Sequence, residues 1–303
     1  MSEKIHISAV VPVRDEQENV TELCDALREV LTGSYEVIFI DDGSIDLTWE
    51  KLKALHVPGC VRLLRLGKPC GKTAALCTGF EAARGEVIFT LDGDLQDDPR
   101  EIPRFLDALS DGSDMVCGWK KRRHDPLDKV AVSRIFNLLV RCVTGMKLHD
   151  INCGFKAFRG DVARSLRFYG EMHRFLPLFV AAQGYKVTEI EVIHHPRKHG
   201  RSKYGTKRLL KGCVDLVTAL LVTRFRDRPA HGFGVMALIL AAFGVLTGSY
   251  WLMVQIFPWL VISSLFWVFS AVFMAAGWVA EMLLAMMPQA SNLPDNPVAE
   301  RLD

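Results

Sequence analysis

Three acidic stretches and one glycine-rich stretch carry the side chains capable of chemistry. The most informative reads TLDGDLQDDP, with Asp92, Asp94 and Gln96 at alternate positions. In an extended segment alternate side chains share a side, so the three are expected to converge. Hard oxygen ligands of this kind suit Mg2+ or Mn2+, above all when substrate phosphates complete the shell. A lone Asp-Gly-Asp is equally good as a turn. The acidic stretch FIDDGSID upstream, with Asp41 and Asp42, and basic residues downstream favour metal–diphosphate binding. The stretch GKPCGKT, Gly67 to Thr73, points to phosphate by another route. A P-loop needs four residues between its first Gly and its Gly-Lys. Here only Lys68, Pro69 and Cys70 intervene, and Pro69 has no N–H to donate. The stretch therefore reads as a strand-to-helix connection whose helix N-terminus and Lys72 can attract phosphate oxygens.

Strands must position these groups. ISAVVPV, YEVIFID, VRLLRL and VIFTLDGD are short β-rich runs. They alternate with ENVTELCDALREVL, LTWEKLKAL and KTAALCTGFEAARG, which pattern as helices. This alternation predicts an α/β fold with a mostly parallel sheet covered on both faces. Right-handed crossovers place the strand C-terminal ends along one edge, where ligands bind in open α/β sheets. PVRDE, DDGSID and LDGDLQDDP all lie at such ends. No G-x-G-x-x-G follows a strand, so a dinucleotide site lacks support.

Composition divides the chain. Of its 303 residues half are hydrophobic, and they concentrate near the end: from Gly232 to Met287 only Glu281 is charged. Two apolar runs, roughly 233–257 and 259–286, each exceed the ~20 residues that cross a bilayer. Pro258 is expected in the turn between them, with Trp251 and Trp259 at the interface. Arg224, Arg226 and Arg228 precede the first run, so the positive-inside rule puts that side in the cytoplasm. Two spans return the tail to the same side. KRLLKGCVDLVTALLVTRF patterns as an amphipathic helix, lying on the membrane surface or packed on the domain. The expected division is a soluble domain over 1–205, a juxtamembrane segment over 206–231, two spans over 232–287 and a cytoplasmic tail over 288–303. A net charge of +2 gives no case for nucleic acid. Eight scattered cysteines without a C-x-x-C pair fit a reduced compartment.

The ordered set VVPVRDE, FIDDGSID, GKTAAL, TLDGDLQDDP and HDINCGFKAFR resembles family 2 glycosyltransferases of the GT-A fold. More narrowly, GEMHRFLP, HHPRKHGRSKYG and the apolar pair make the chain similar to the polyprenyl-phosphate glycosyltransferases. The resemblance implies a Rossmann-like GT-A domain followed by an interfacial helix and a transmembrane hairpin in the inner (cytoplasmic) membrane. It also implies a nucleotide-diphosphate sugar donor, a polyprenyl phosphate acceptor and Mg2+ or Mn2+. By position, Pro12, Arg14, Glu16, Asp41, Asp42, Lys72 and Asp92 would line the nucleotide pocket. Asp92, Asp94 and Gln96 match the metal motif. Arg197 and Lys203 match the pair that clamps the donor diphosphate, and Lys120, Lys129, Ser133 and Arg134 fall where the acceptor phosphate is received. Asp150 and the CGFK loop are placed near the reaction centre. Two positions depart from the pattern: Lys120 stands where Arg is common, and Asp-Gly-Asp where Asp-Ala-Asp is.

The implied reaction is inverting transfer of one sugar, since the QxxRW motif of processive synthases is absent. Glucose from UDP-glucose or mannose from GDP-mannose leads, with GlcNAc, galacturonate and aminoarabinose as alternatives. A nucleotidyltransferase would share the acidic ligands but needs no hairpin, and a homo-oligomer stays open. Basic neighbours argue against His194, His195 and His199 as a metal cluster. Cys153 reads as a small packed residue. Glu281 reads as functional or as snorkelling at a helix end.

Overall fold

The computed structural model describes residues 5–121, 127–196, 198, 208–225, 228–286 and 298–302. Eight strands and ten helices follow in chain order within these ranges. They are β1 (Ile7–Val13), α1 (Val20–Val30), β2 (Tyr35–Asp41), α2 (Thr48–Leu55), β3 (Val61–Leu66), α3 (Lys72–Ala82) and β4 (Val87–Thr90). Next come α4 (Ile102–Ser110), β5 (Met115–Trp119), α5 (Leu127–Thr144), β6 (Lys156–Arg159), α6 (Gly160–Ser165), α7 (Leu176–Ala182) and β7 (Val187–Glu191). The chain ends in α8 (Arg208–Arg224), α9 (Pro229–Val254), α10 (Phe257–Met286) and β8 (Val298–Leu302).

Residues 1–216 and 293–303 form one compact unit, and 217–292 the other. The boundary falls inside α8, later than the expected end at 205. The first unit is built on one sheet of order β7-β5-β6-β4-β1-β2-β3-β8. Strands β3, β2, β1 and β4 run parallel. Their continuous apolar runs are buried on both faces, as a parallel sheet covered by helices requires. On α1, Val20, Leu23, Cys24 and Leu27 fall at helical spacing and pack into the core. Beyond the parallel core, β6 is antiparallel to both β4 and β5, and β8 is antiparallel to β3. Within the stretch expected as a cytoplasmic tail, β8 covers the β3 edge.

The second unit is dominated by a helical hairpin. Both α9 and most of α10 are long and apolar enough to cross a bilayer. The two contact each other along small residues seven apart: Ser263 Oγ donates to Gly244 O and Ser270 Oγ to Ala237 O, both at 2.8 Å. A seven-residue repeat of this kind is the packing of left-handed helix pairs. The turn is not at Pro258, which sits in the first turn of α10, where a missing N–H costs nothing. It is made by Gln255, in the left-handed region at φ 53°, and Ile256. Tyr250 and Trp259 meet edge-to-face beside it. Glu281 neither faces lipid alone nor forms an ion pair among the described residues. Its Oε2 accepts from Ala230 N at 2.8 Å and so caps the start of α9.

Candidate active site

The strand ends of the parallel core open into a cavity of about 340 Å³. Pro12, Val13 and Arg14 line it from the end of β1, with Glu16 just beyond. Asp42 follows β2, Gly71 and Lys72 open α3, and Asp92, Gly93 and Asp94 follow β4. Most of the residues expected at a nucleotide pocket are thus brought together. Asp42 does so by shaping the wall: its carboxylate accepts from Cys70 N at 2.6 Å and from Gly71 N at 3.0 Å. That bond fixes the GKPCGKT connection and aims the start of α3 at the cavity. Asp41 points elsewhere. It is fully buried, accepts from Ser44 N at 3.0 Å and pairs with Arg65 at 3.2 Å. It braces the loop and does not line the pocket.

The metal motif is not the extended strand that alternation implied. β4 stops at Thr90, and Asp92 to Leu95 form a turn, with Leu95 in the left-handed region at φ 59°. Asp92 and Asp94 still face one cavity. Gln96 is turned away from it, its Nε2 donating to His195 O at 3.4 Å. Gly93 has a steric reason: a Cβ there would lie 2.8 Å from Val13 Cγ1. An alanine in the middle of the motif, as in Asp-Ala-Asp, does not fit beside Val13 without movement.

Asp92 is held as an anion. Burial works against its charge, but the Lys72, Lys120 and Lys156 ammonium groups outweigh that and keep its carboxyl well below the usual range. Lys72 pairs with it directly. On its other side the CGFK loop comes so close that a Cβ on Gly154 would lie 2.5 Å from the carboxylate atoms. Lys156, from the same loop, is buried and donates to Cys153 O. The Cys153 thiol is pushed up to about 12 by burial and is no nucleophile. His173 is depressed well below its ordinary value by burial, Lys72 and Arg174, so it is neutral at pH 7. Its Nδ1 hydrogen-bonds Thr73 Oγ1 at 2.8 Å.

These residues fit a divalent ion. The donors are two carboxylates, one of them strongly anionic, and the place facing Asp92 is already taken by a cation, the Lys72 ammonium. Among the described residues no three His, Cys, Asp or Glu side chains are grouped to hold a metal. Substrate oxygens would have to complete the shell.

A second cavity of about 310 Å³ lies between the end of β5 and α5. Lys120, Ser133, Arg134 and Asp150, all named from the sequence, line it together. Trp119, Lys121, Asn137, Leu138, Arg141 and His149 complete it and were not foreseen. Sequence signals for them were weak: Arg141 and Asn137 follow Arg134 at helical spacing on α5, facing the same way. Trp119 and His149 stack at 4.3 Å between ring centres, a contact across chain segments that no local pattern reveals. Lys120 links the second cavity to the chain just after the metal-motif turn. It is half-buried, pairs at 2.7 Å with Asp97, just after the metal-motif turn, and is held charged against burial by Asp97 and Asp92. Asp97 was thus missed as a site residue. The side chain of Lys129 lies outside the described residues, as do Arg197 and Lys203. The chain leading to the latter pair is described: His195 N donates to Gln96 O at 2.9 Å, and Asp97 bridges to His194. The HHPRKHG segment therefore starts alongside the metal motif.

One more surface bears on this site. Ile135, Leu138, Leu139 and Val143 form an exposed apolar stripe on α5, beside Arg134 and Arg141. Its inner face packs Phe136 towards Phe175. α8 begins on the same unit, where Gly212 lies against Phe136 and Asp215 is 3.7 Å from Arg174. It is therefore packed on the domain over its first half, with Val214 left exposed.

Comparison with known proteins agrees with this geometry. Residues 8–167 match the model of glycosyl transferase family 2. The chain is 36% identical over 253 residues to a dodecaprenyl-phosphate galacturonate synthase of Rhizobium johnstonii, covering 80% of this chain and 75% of that one. It is 35% identical over 249 residues to an undecaprenyl-phosphate 4-deoxy-4-formamido-L-arabinose transferase of Edwardsiella ictaluri, covering 79% and 75%. Among solved structures, glucosyl-3-phosphoglycerate synthase from Mycobacterium tuberculosis, in complex with Mn2+, UDP-glucose and phosphoglyceric acid, superposes with a TM-score of 0.55. At 18% identity over 70% of this chain and 79% of that one, it shares the fold. With a family model across the parallel core and relatives of this identity over four-fifths of its length, the chain belongs to glycosyl transferase family 2.

Proposed function

We propose that this glycosyltransferase moves one sugar from a nucleotide-diphosphate sugar to a polyprenyl phosphate at the cytoplasmic face of the inner membrane. The observation that carries the reading is the pairing of two cavities through Lys120. One is lined by Asp92 and Asp94, the other by cations, and Lys120 belongs to the second while it pairs with Asp97, three residues after Asp94. The relatives act with galacturonate and with 4-deoxy-4-formamido-L-arabinose. They favour an acidic or amino sugar of that kind over glucose or mannose.

In this reading the donor lies in the first cavity, against Arg14, Glu16 and Asp42. Asp92 and Asp94 would hold Mg2+ or Mn2+, which when bound neutralises charge on the leaving diphosphate. Arg197 and Lys203 would add positive charge from the segment that starts beside Gln96. The acceptor phosphate enters the second cavity among Lys120, Ser133, Arg134 and Arg141, with Lys129 from the same helix. A phosphate monoester is mostly dianionic at neutral pH, so its oxygen attacks without a general base. The new bond forms between that oxygen and the anomeric carbon. The bond from that carbon to the diphosphate oxygen breaks on the opposite face, its electron pair leaving with the nucleoside diphosphate. Configuration inverts. Asp150, buried in the second cavity, would orient the cations around the phosphate.

The test is a donor panel with the full chain in detergent and undecaprenyl phosphate, read by mass spectrometry of the lipid. UDP-galacturonate and UDP-4-deoxy-4-formamido-arabinose are expected to give polyprenyl-monophosphate-sugar with release of UDP. UDP-glucose and GDP-mannose complete the panel. Release of pyrophosphate without a glycolipid would instead indicate a nucleotidyltransferase.

A further inference from the structure

Lys72 occupies the place that a cation bound to Asp92 would take. Its backbone cannot drift, because Asp42 holds the preceding Cys70 and Gly71 N–H groups. From the first position of α3 its side chain reaches across the cavity and pairs with Asp92. Gly154 closes the opposite side of that carboxylate, so Lys72 covers the side open to the donor cavity. Both side chains keep partial exposure, 26% for Lys72 and 30% for Asp92, which leaves room for the pair to part.

We infer that Lys72 is an internal counter-ion that keeps the divalent metal out of this site until the donor diphosphate arrives. The inference rests on the metal-dependent transfer proposed above. A metal ion entering alone meets an aspartate already neutralised and a fixed positive charge in its way. A diphosphate changes both terms. Its oxygens are attracted to the helix N-terminus at Lys72, and the ammonium can follow them with little backbone movement. Asp92 is then released to the metal, and each charge finds a new partner within the same cavity. Lysine suits this exchange better than arginine, because it is a single point charge on a flexible stem. Donor and metal would enter together, and a donor site without nucleotide would hold metal weakly.

Manganese binding by the full chain in detergent, followed by the electron paramagnetic resonance of free Mn2+, tests this without turnover. UDP and GDP serve as diphosphate probes. Wild type is expected to bind Mn2+ weakly alone and at least about tenfold more tightly with the matching nucleotide, since one displaced unit charge is worth that much or more. Lys72→Met should bind Mn2+ without nucleotide about tenfold more tightly than wild type, and nucleotide should then add less. Lys72→Arg, which keeps the charge, should resemble wild type in the absence of nucleotide. Thermal unfolding verifies that each variant is folded, and Lys72→Gln replaces Lys72→Met if that one is not. The inference is overturned if removing the charge leaves Mn2+ affinity without nucleotide unchanged or lower, while wild type still binds Mn2+ with nucleotide. A different failure, no Mn2+ bound by either protein with UDP or GDP present, overturns the metal-dependent reading and this inference with it.

Discussion

Gly93 shows how far single residues decide this site. The turn after β4 brings it against Val13, and a methyl group there would sit 2.8 Å from Val13 Cγ1. Overpacking of this kind typically costs 1–3 kcal/mol. Gly93→Ala is therefore expected to lower the unfolding midpoint by several degrees, at roughly 2–4 °C per kcal/mol for a unit of this size. Val13→Ala in the same chain should recover much of the loss; two independent, additive losses would contradict the contact. His173 gives a second test. Burial and its cationic neighbours depress its pKa below 6.5, so below that pH the unfolded chain binds a proton that the folded chain refuses. Stability from this group is present above pH 6.5 and falls on acidification, by about 1 kcal/mol between pH 6.5 and 5.5. The acid-induced loss of unfolding free energy should shrink by that amount in His173→Gln. Asp97 makes a third. Asp97→Asn removes the charged partner of Lys120, so the apparent KM for polyprenyl phosphate should rise, while the donor KM changes much less. An effect on the donor alone would detach Lys120 from the acceptor cavity. The acidic residues at the strand ends were legible in the sequence because the parallel fold forces such ends together. Asp41 and Gln96 were misjudged because adjacency in sequence does not say which way a turn aims each side chain. Asp97 was missed because its partner, Lys120, is distant in sequence and meets it only through the sheet.

At the level of elements, the parallel strands β1 to β4 were readable because continuous burial leaves a continuous apolar run. Strands β5, β6 and β7 are short, and their pairing is mixed. Their order depends on tertiary contacts that no local period records. Helix α5 is the instructive case. Its sequence holds basic residues named from the resemblance, yet its outward stripe of Ile135, Leu138, Leu139 and Val143 is visible only once the inner face is known. An exposed apolar stripe flanked by arginines has the composition of a helix that lies at an anionic membrane surface. It borders the cavity assigned to the acceptor phosphate, so it would guide a lipid whose tail stays in the bilayer. Ile135→Glu with Leu138→Glu is expected to lower kcat/KM for undecaprenyl phosphate about tenfold or more, since charged residues at such a surface lose the buried apolar area. Turnover with a short, water-soluble prenyl phosphate should change little. Equal loss with both acceptors would mean that the stripe supports the fold of α5 and not the approach of the lipid.

On the scale of the whole molecule, the chain passes between its two compact units twice, near 216/217 and near 292/293. Arg224, Arg226 and Arg228 before the hairpin would, by the positive-inside rule, set the side on which it starts. Strand β8 adds an independent constraint. It pairs with β3 in the same sheet that leads to Asp92 and Lys120, so if the hairpin crosses a bilayer, the residues after it would lie on the same side as the catalytic unit. Only an even number of crossings would satisfy this, and α9 with most of α10, both long and apolar enough to cross a bilayer, would supply two. In that topology the turn at Gln255 and Ile256 would face the opposite side. A phosphatase that is active only outside the cytoplasm should be active when inserted at that turn, and inactive when joined after Asp303. Activity at both places, or at neither, would break the two-span topology. The strand itself can be tested in the same molecule. Without residues 293–303 the β3 edge loses its partner, and open edges invite pairing between chains. The truncated protein should insert normally but aggregate more readily from detergent, and its catalytic unit should unfold at a lower temperature. If it stays monodisperse with an unchanged midpoint, β8 contributes nothing to the fold, and the case for two crossings rests on the arginines alone.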